Sequence, residues 1–139
     1  MRVFISHSRT NKPLVRRVLT AIKQAGLEVW DDEYDTHPSE NWAKLTGKAL
    51  EQSDAMVALL TPDALESIIV DREISFALFN IRYEWRLIPV LVGVERSAAE
   101  EKFAWVIDNL NPITIPASGE QEEGINQLTQ ALRALRVAA

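Results

Sequence analysis

The chain has 139 residues, of which 47% are hydrophobic and 25% are charged, and its formal net charge is −5. This length is sufficient for one domain with a substantial core, and the composition is typical of a globular protein. The acidic balance argues against nucleic acid as the main partner, because neutralising phosphates requires a dense stripe of lysine and arginine.

Cysteine and histidine usage restricts the chemistry further. The chain contains no cysteine and only two histidines, His7 and His37, which excludes disulfides, thiolate metal sites and a histidine-rich zinc site. Carboxylates could still hold a hard cation, but we expect neither a resident metal nor a cofactor. The amino-terminal apolar run is too short for a signal peptide, and no segment approaches the roughly 20 apolar residues of a membrane span. We therefore expect a cytoplasmic protein with no membrane contact.

Short apolar runs alternate with longer amphipathic segments, a pattern typical of strand–helix units around a parallel sheet. In the first half, Gly26 marks the end of the first helix, and an acidic loop of unusual length follows the second strand. The predicted strands are 2–6, 27–30 and 54–60, the helices are 11–26 and 41–53, and the loop is 31–40.

The second half continues the same alternation. Thr61-Pro62 is a helix-start signal, and we expect the following helix to run toward Tyr83. The remaining predicted elements are strands at 87–93 and 112–116 and helices at 97–110 and 120–137. Five strands alternating with five helices predict a single α/β domain with a doubly wound sheet.

In doubly wound folds, ligands bind beyond the carboxyl ends of the strands. The first strand ends in Ser6-His7-Ser8-Arg9, the second in Trp30-Asp31-Asp32, and the third leads into the Thr61-Pro62 turn. We therefore expect any binding site to be built from these loops.

Glu73 occupies an unusual position in the segment SIIVDREISFAL. At about 100° per residue, it lies beside an apolar stripe suited to burial. No basic residue lies three or four positions away, and an unpaired carboxylate in apolar surroundings is costly. Its partner must be a distant basic residue, solvent at the helix edge, or a ligand in a cleft. The stripe consists of Val70, Ile74, Ala77, Leu78 and Ile81.

Several familiar chemistries do not fit the loops. The five glycines form neither a P-loop nor a GxGxxG motif, and the acidic residues of a receiver-type phosphoacceptor are absent from the ends of the first and third strands. A nucleophile built from Ser6, His7 and Asp31 is disfavoured, because adjacent strand residues point to opposite faces and no G-x-S-x-G elbow is present.

Two interpretations of the remaining residues stay open at this point. A polar first loop, an acidic second loop near Trp30 and Trp42, and an isolated glutamate would suit a nucleotide-like ligand with ribose hydroxyls. Alternatively, the tryptophans are core or loop-anchoring residues, the aspartates cap turns, and Glu73 is a solvated residue at the helix edge.

The order of several motifs resembles that of Toll/interleukin-1 receptor (TIR) domains. VFISHS resembles their first box, and GLEVWDDEYDTHPSENWAKL resembles their second strand, BB loop and following helix. ALLTPDALES, SIIVDREISFAL and LIPVLVG are similar to their later segments, in the same order and spacing. The similarity spans 1–139, so the chain is identified as a single TIR domain. Since the chain has no room for a sensor, we expect either the N-terminal part of a longer protein or a small effector with a separate activator.

The resemblance implies a flavodoxin-like fold with a five-stranded parallel sheet in the order 2-1-3-4-5. It also implies an NAD+ glycohydrolase, with ADP-ribosyl cyclase activity as a variant, in which NAD+ is the substrate and Glu73 the catalytic carboxylate. Ser8 and Arg9 would face the nucleotide and its phosphates, Trp42 would lie near the nicotinamide, and Asp32 near the hinge of the BB loop.

The family further implies TIR–TIR self-association, and a fused or separate sensor, in a bacterial-type immune (anti-phage) or stress response. Two residues depart from the family pattern. Ile69 replaces a tryptophan four positions before the glutamate, and HPSEN replaces a glycine-containing BB loop. These departures motivate the alternative of a signalling scaffold without catalysis.

Overall fold

The computed structural model describes residues 1–30 and 40–138, with the backbone alone described at 40–43 and 137–138. Within these ranges five strands form one parallel sheet in the order β2-β1-β3-β4-β5. The predicted fold class and strand order are therefore confirmed. The strands are β1 (Arg2–Ser6), β2 (Glu28–Val29), β3 (Ala55–Leu60), β4 (Leu87–Val92) and β5 (Ile113–Ile115).

Helices cover both faces of this sheet. A 3-10 turn at Ile81–Tyr83 follows the fourth helix. The helices are α1 (Lys12–Gln24), α2 (Glu40–Gln52), α3 (Pro62–Leu65), α4 (Ile68–Leu78), α5 (Arg96–Asn109) and α6 (Glu122–Ala138). None of the helices in the described ranges combines the length and apolarity that a membrane crossing requires.

Two hydrophobic clusters lie on opposite faces of the sheet. Side chains of a strand alternate between faces, so Val57 of β3 packs in the cluster with α1 and α6, whereas Met56 packs in the cluster with α4 and α5. Every residue of β3 is buried, as expected for a parallel strand covered on both sides.

The sheet order places a topological switch point at β1. This strand pairs with β2 on one side and with β3 on the other, with Ser6 opposite Ala58. Because all strands are parallel, their carboxyl ends meet at the same edge of the sheet, and the loops after β1 and β3 lie next to each other there. The fold therefore contains the switch point at which the sequence leads us to expect a binding site.

The predicted helix from Thr61 toward Tyr83 is wrong in its extent. The chain forms two helices there, because Thr61 caps α3 by accepting a hydrogen bond from the Ala64 N–H, and Ser67 caps α4 by accepting one from the Val70 N–H. Helix α4 then ends at Leu78, with Phe79 as its C-cap.

The predicted burial of the apolar stripe is correct only in part. Val70, Ile74 and Ala77 are buried, whereas Leu78 is 41% exposed and Ile81 is 83% exposed. Ile81 lies beyond the end of α4, in the 3-10 turn, so the helical spacing no longer determines its direction.

Candidate functional site

The side chain of Glu73 lies against the end of β1. Its Oε1 accepts a hydrogen bond of 2.8 Å from the Ser6 hydroxyl, and the two residues are 67 positions apart in the sequence. Glu73 is 8% exposed and Ser6 is fully buried. The interpretation of Glu73 as a solvated helix-edge residue is therefore wrong. The expectation that a partner comes from outside its helix is confirmed.

Local structure explains how these two side chains meet. Ser6 and Phe4 are two positions apart on β1 and therefore share one face, and Phe4 belongs to the cluster that contains Val70 and Ile74 of α4. The buried residues Val70, Ile74 and Ala77 fix the rotation of α4 about its axis. Glu73, adjacent to that stripe, is consequently directed toward the carboxyl end of β1.

A chain of hydroxyl hydrogen bonds connects the first loop to the beginning of α3. The hydroxyls of Ser8 and Thr10 are 2.9 Å apart, and Thr10 donates to the Asp63 carboxylate at 2.7 Å. His7 Nδ1 lies 2.9 Å from the Ser8 carbonyl oxygen. These contacts join the loops after β1 and β3 at the switch point, on the same edge of the sheet as Ser6.

The structure places the residues of the first loop at increasing distance from the core. Ser6 is buried, His7 and Ser8 are half-buried, and Arg9 is exposed. Because the Ser6 hydroxyl has one hydrogen and donates it to Glu73, it does not donate to His7. This geometry agrees with the argument against a serine nucleophile at Ser6.

The second predicted loop is described only in part. Asp32 lies outside the described residues, and Trp42 belongs to α2 with its side chain outside the description. Trp30 is half-buried and packs against the cluster that contains α4, while its backbone N–H donates to the Val3 carbonyl. Trp30 therefore matches the interpretation of a core aromatic.

Ile69 occupies the first turn of α4, one turn before Glu73, and is 40% exposed. Ile69 places an apolar side chain one turn from the Glu73 carboxylate, but it lacks the aromatic ring of the tryptophan that the family pattern has there. Among the described residues no group of three or more histidine and acidic side chains is arranged to hold a metal ion.

Sequence reasoning missed two contacts of this site. It identified Ser6 as a loop residue but not as the hydrogen-bond donor to Glu73, and it did not connect Thr10 with Asp63. The usable signal for Ser6 was a hydroxyl residue ending an otherwise apolar strand, since a buried hydroxyl normally has a partner.

The sequence profile described as "TIR domain" matches residues 3–129. Among curated proteins, the chain is 27% identical over 90 residues to a probable 2′ cyclic ADP-D-ribose synthase, TcpO, of Methanobrevibacter olleyae. This match covers 64% of the chain and 26% of the relative, so the aligned part of the chain spans about a quarter of that protein's length.

Solved structures share the fold at low sequence identity. The TIR domains of the activated Roq1 resistosome, which directly recognises the pathogen effector XopQ, superpose with a TM-score of 0.70 at 14% identity, covering 93% of this chain and 97% of theirs. A TIR-STING receptor from C. gigas in complex with 2′,3′-cGAMP superposes with a TM-score of 0.68 at 20% identity. The superposition covers 94% of this chain and 38% of the receptor chain.

A prokaryotic SEFIR domain superposes less closely, with a TM-score of 0.58 at 16% identity over 94% of this chain and 91% of that domain. The shared fold extends over nearly the whole chain in all three comparisons. Because the family profile covers most of the sequence and the sheet has the strand order that the family resemblance implied, the chain belongs to the TIR domain family.

Proposed function

We propose that this TIR domain cleaves NAD+ at the bond between nicotinamide and ribose, with Glu73 as the catalytic residue. The observation that carries this proposal is a carboxylate buried at the switch point and oriented by the Ser6 hydroxyl at 2.8 Å. The name of the relative TcpO supports the same chemistry, since cyclic ADP-ribose forms from NAD+ by loss of nicotinamide.

A carboxylate suits the transition state of this reaction. As the C–N bond breaks, the bonding electrons leave with nicotinamide and positive charge develops on the ribosyl ring, as in glycoside hydrolysis. A fixed negative group near the ring stabilises this charge without reorganising during the reaction. The hydrogen bond from Ser6 restricts the rotation of the Glu73 carboxylate, so that this group is held in place before substrate binds.

The product depends on the nucleophile that reaches the ribosyl carbon. Attack by water yields ADP-ribose, nicotinamide and a proton, whereas attack by a group of the same ADP-ribose molecule yields a cyclic isomer, nicotinamide and a proton. The name of TcpO favours the cyclic isomer. The product mass distinguishes the two, because the hydrolysis product contains one additional water.

Other predicted residues receive supporting roles in this proposal. Arg9 is exposed on the loop after β1, where its guanidinium can bind the pyrophosphate, and Ser8 lies beside it. Trp42 would contact the nicotinamide, and Asp32 would lie at the hinge of the BB loop. Activation by self-association, within an immune or stress response, completes the proposed function.

The decisive experiment is an assay of nicotinamide release at high protein concentration. Glu73→Gln keeps the shape of the side chain and removes its charge, so turnover should fall by about 100-fold or more, as for loss of a transition-state contact. Asp71→Asn is the matched control, because Asp71 is an exposed acid on the same helix. Equal activity in the wild type and Glu73→Gln would contradict the proposal.

The non-catalytic scaffold is the second candidate, and Ile69 favours it. If the missing tryptophan limits catalysis, Ile69→Trp should raise nicotinamide release several-fold above that of the wild type, since position 69 is exposed enough to accept an indole. If neither the wild type nor Ile69→Trp releases nicotinamide at any protein concentration, the scaffold is the better description.

A further inference from the structure

Asp63 is a charged residue beside the switch point that takes no part in the proposed cleavage step. It lies in the first turn of α3, between the buried residues Thr61 and Ala64. The Thr61 hydroxyl accepts a hydrogen bond of 3.1 Å from the Ala64 N–H, which holds this turn at the carboxyl end of β3. The Asp63 carboxylate is exposed, but the backbone that carries it is therefore fixed in place.

The hydrogen bonds that join Asp63 to the first loop have one possible direction. A carboxylate only accepts, so the Thr10 hydroxyl donates its single hydrogen to Asp63 at 2.7 Å. In the 2.9 Å contact between the Ser8 and Thr10 hydroxyls, Ser8 must then be the donor. A hydrogen bond to a charged acceptor is also the stronger kind, which favours this direction. Both hydroxyl hydrogens consequently point along the chain toward Asp63.

This direction determines what the first loop offers to a ligand. Once its hydrogen is donated to Thr10, the Ser8 oxygen can only accept a further hydrogen bond. Thr10 and Asp63 are restricted in the same way, so we call Ser8, Thr10 and Asp63 the acceptor chain. It carries one negative charge, which repels a phosphate group. A neutral donor, such as a hydroxyl or an amino group, is the ligand chemistry that fits it.

The position of the acceptor chain indicates which part of NAD+ it would meet. Glu73 and Ser6 are buried, at the point where the nicotinamide ribose would bind. Further along the first loop, Ser8 is half-buried, and Arg9 and Thr10 are exposed. A dinucleotide that extends outward from Glu73, with its pyrophosphate at Arg9, brings its adenosine half to the outer part of this loop. The neutral donors of that half are the ribose hydroxyls and the amino group of adenine.

We propose that Asp63, acting through Thr10, fixes Ser8 as the hydrogen-bond acceptor for a neutral donor of the adenosine half of NAD+. The inference rests on NAD+ being the ligand of the proposed function, and it adds a source of selectivity to that site. Asp63 and Thr10 are positioning residues, because Ser8 is the member of the chain that contacts the substrate. The donor is either a ribose hydroxyl or the adenine amino group, and two analogues of NAD+ distinguish these sources.

The kinetics of nicotinamide release from three dinucleotides test this proposal. NADP+ carries a phosphate on the adenosine ribose, and nicotinamide hypoxanthine dinucleotide has a carbonyl in place of the adenine amino group. The wild type should show a kcat/KM about tenfold or more lower for one of these analogues than for NAD+, as for a hydrogen bond that is no longer formed. Discrimination against NADP+ identifies the ribose as the donor, and discrimination against the hypoxanthine dinucleotide identifies adenine.

Asp63→Asn keeps the shape of the side chain but permits the opposite direction of hydrogen bonding. The amide can donate to Thr10, which leaves the Thr10 and Ser8 hydroxyls able to donate toward the ligand. Asp63→Asn should therefore reduce the discrimination by about tenfold, mainly through KM, because the contact is made equally in the bound ground state and the transition state. Thr10→Val breaks the chain and should have the same effect.

Two control variants separate this role from a general effect on folding or charge. Thr10→Ser keeps the hydroxyl and should discriminate between the dinucleotides as the wild type does. Asp71→Asn removes the same charge from an exposed position on α4 and should leave the ratio of kcat/KM values unchanged.

Calorimetry of dinucleotide binding distinguishes a failure of this inference from a failure of the proposed cleavage. If the wild type binds NAD+ without releasing nicotinamide, dissociation constants replace kcat/KM in the same comparisons. The inference is overturned if the wild type treats all three dinucleotides alike, or if Asp63→Asn and Thr10→Val discriminate as the wild type does. Equal losses of discrimination in Thr10→Ser or Asp71→Asn would also overturn it. A protein that neither cleaves nor binds NAD+ would overturn both proposals.

Discussion

The contact between Ser6 and Glu73 joins a strand residue and a helix residue that are 67 positions apart. A hydrogen bond to a charged group contributes about 1.5–3 kcal/mol to stability. Removing the donor costs more than this contribution, because the acceptor then stays buried without a hydrogen bond. The pair therefore links the stability of the fold to the orientation of the proposed catalytic carboxylate.

A double-mutant cycle with Ser6→Ala and Glu73→Ala measures this link. Each single variant should lower the free energy of unfolding by about 1–3 kcal/mol, because each leaves a buried polar group without this partner. The double variant should lose about 1–2 kcal/mol less than the two single losses combined. Urea unfolding followed by circular dichroism provides the measurement, and strictly additive losses would show that the two side chains do not interact.

At the scale of elements, Tyr83 connects the 3-10 turn to α2. Its hydroxyl donates to the Leu50 carbonyl at the end of that helix, and the side chain is 2% exposed. Burial is the main reason that the pKa of the Tyr83 phenol rises to about 12, and the nearby Arg82 guanidinium partly opposes it. The turn that carries Trp85 is thus anchored by a phenol that stays protonated in alkaline solution.

This shift predicts a loss of stability in alkaline solution. The unfolded phenol ionises near pH 10, whereas the folded one remains protonated to about pH 12. The folded state therefore holds more protons in this window, and the free energy of unfolding falls as the pH rises from about 10 to about 12. Below pH 10 the stabilising contribution of Tyr83 is fully present.

Tyr83→Phe isolates this contribution, because phenylalanine cannot ionise. The wild type should be more stable than Tyr83→Phe at neutral pH, and the difference should narrow between pH 10 and pH 12. Urea midpoints of both proteins across this range provide the measurement. Parallel profiles would mean that the Tyr83 phenol titrates equally in the folded and unfolded states.

At the scale of the whole molecule, two helical glycines have opposite surroundings. A Cβ added to Gly124 of α6 would lie 2.6 Å from Ile115 Cγ1 and 2.9 Å from the Thr114 carbonyl oxygen. The same atom on Gly47 of α2 would meet none of the described residues within 4 Å. Gly124 thus permits α6 to pack closely on the edge strand β5, whereas Gly47 has no such contact with the part of the chain that the structure describes.

Alanine substitutions at Gly124 and Gly47 should change the free energy of unfolding in opposite directions. Gly124→Ala should lower the free energy of unfolding by about 1–3 kcal/mol, because the added methyl group overpacks the contact with β5. Gly47→Ala should raise it by about 0.5–1 kcal/mol, because alanine is the better helix former. Thermal unfolding of the two variants beside the wild type measures both effects, and shifts in the same direction would contradict the assigned surroundings.

The family profile and the strand order of the sheet agree with what the sequence predicted. The alternation of apolar and amphipathic segments indicated a parallel doubly wound sheet, and the family motifs predicted its strand order. The helical wheel indicated that Glu73 has no basic partner on its own helix. These features are local, because periodicity reports which residues of one element share a face.

Only the tertiary structure decided which distant residues meet. Ser6 became the donor to Glu73 because β1 lies at the switch point beside α4, and Thr10 met Asp63 because two loops share one edge of the sheet. Leu78 and Ile81 fit a buried stripe by spacing, yet they are exposed because α4 ends at Leu78. Spacing along the chain determines the faces of an element, whereas the packing of whole elements determines what covers each face.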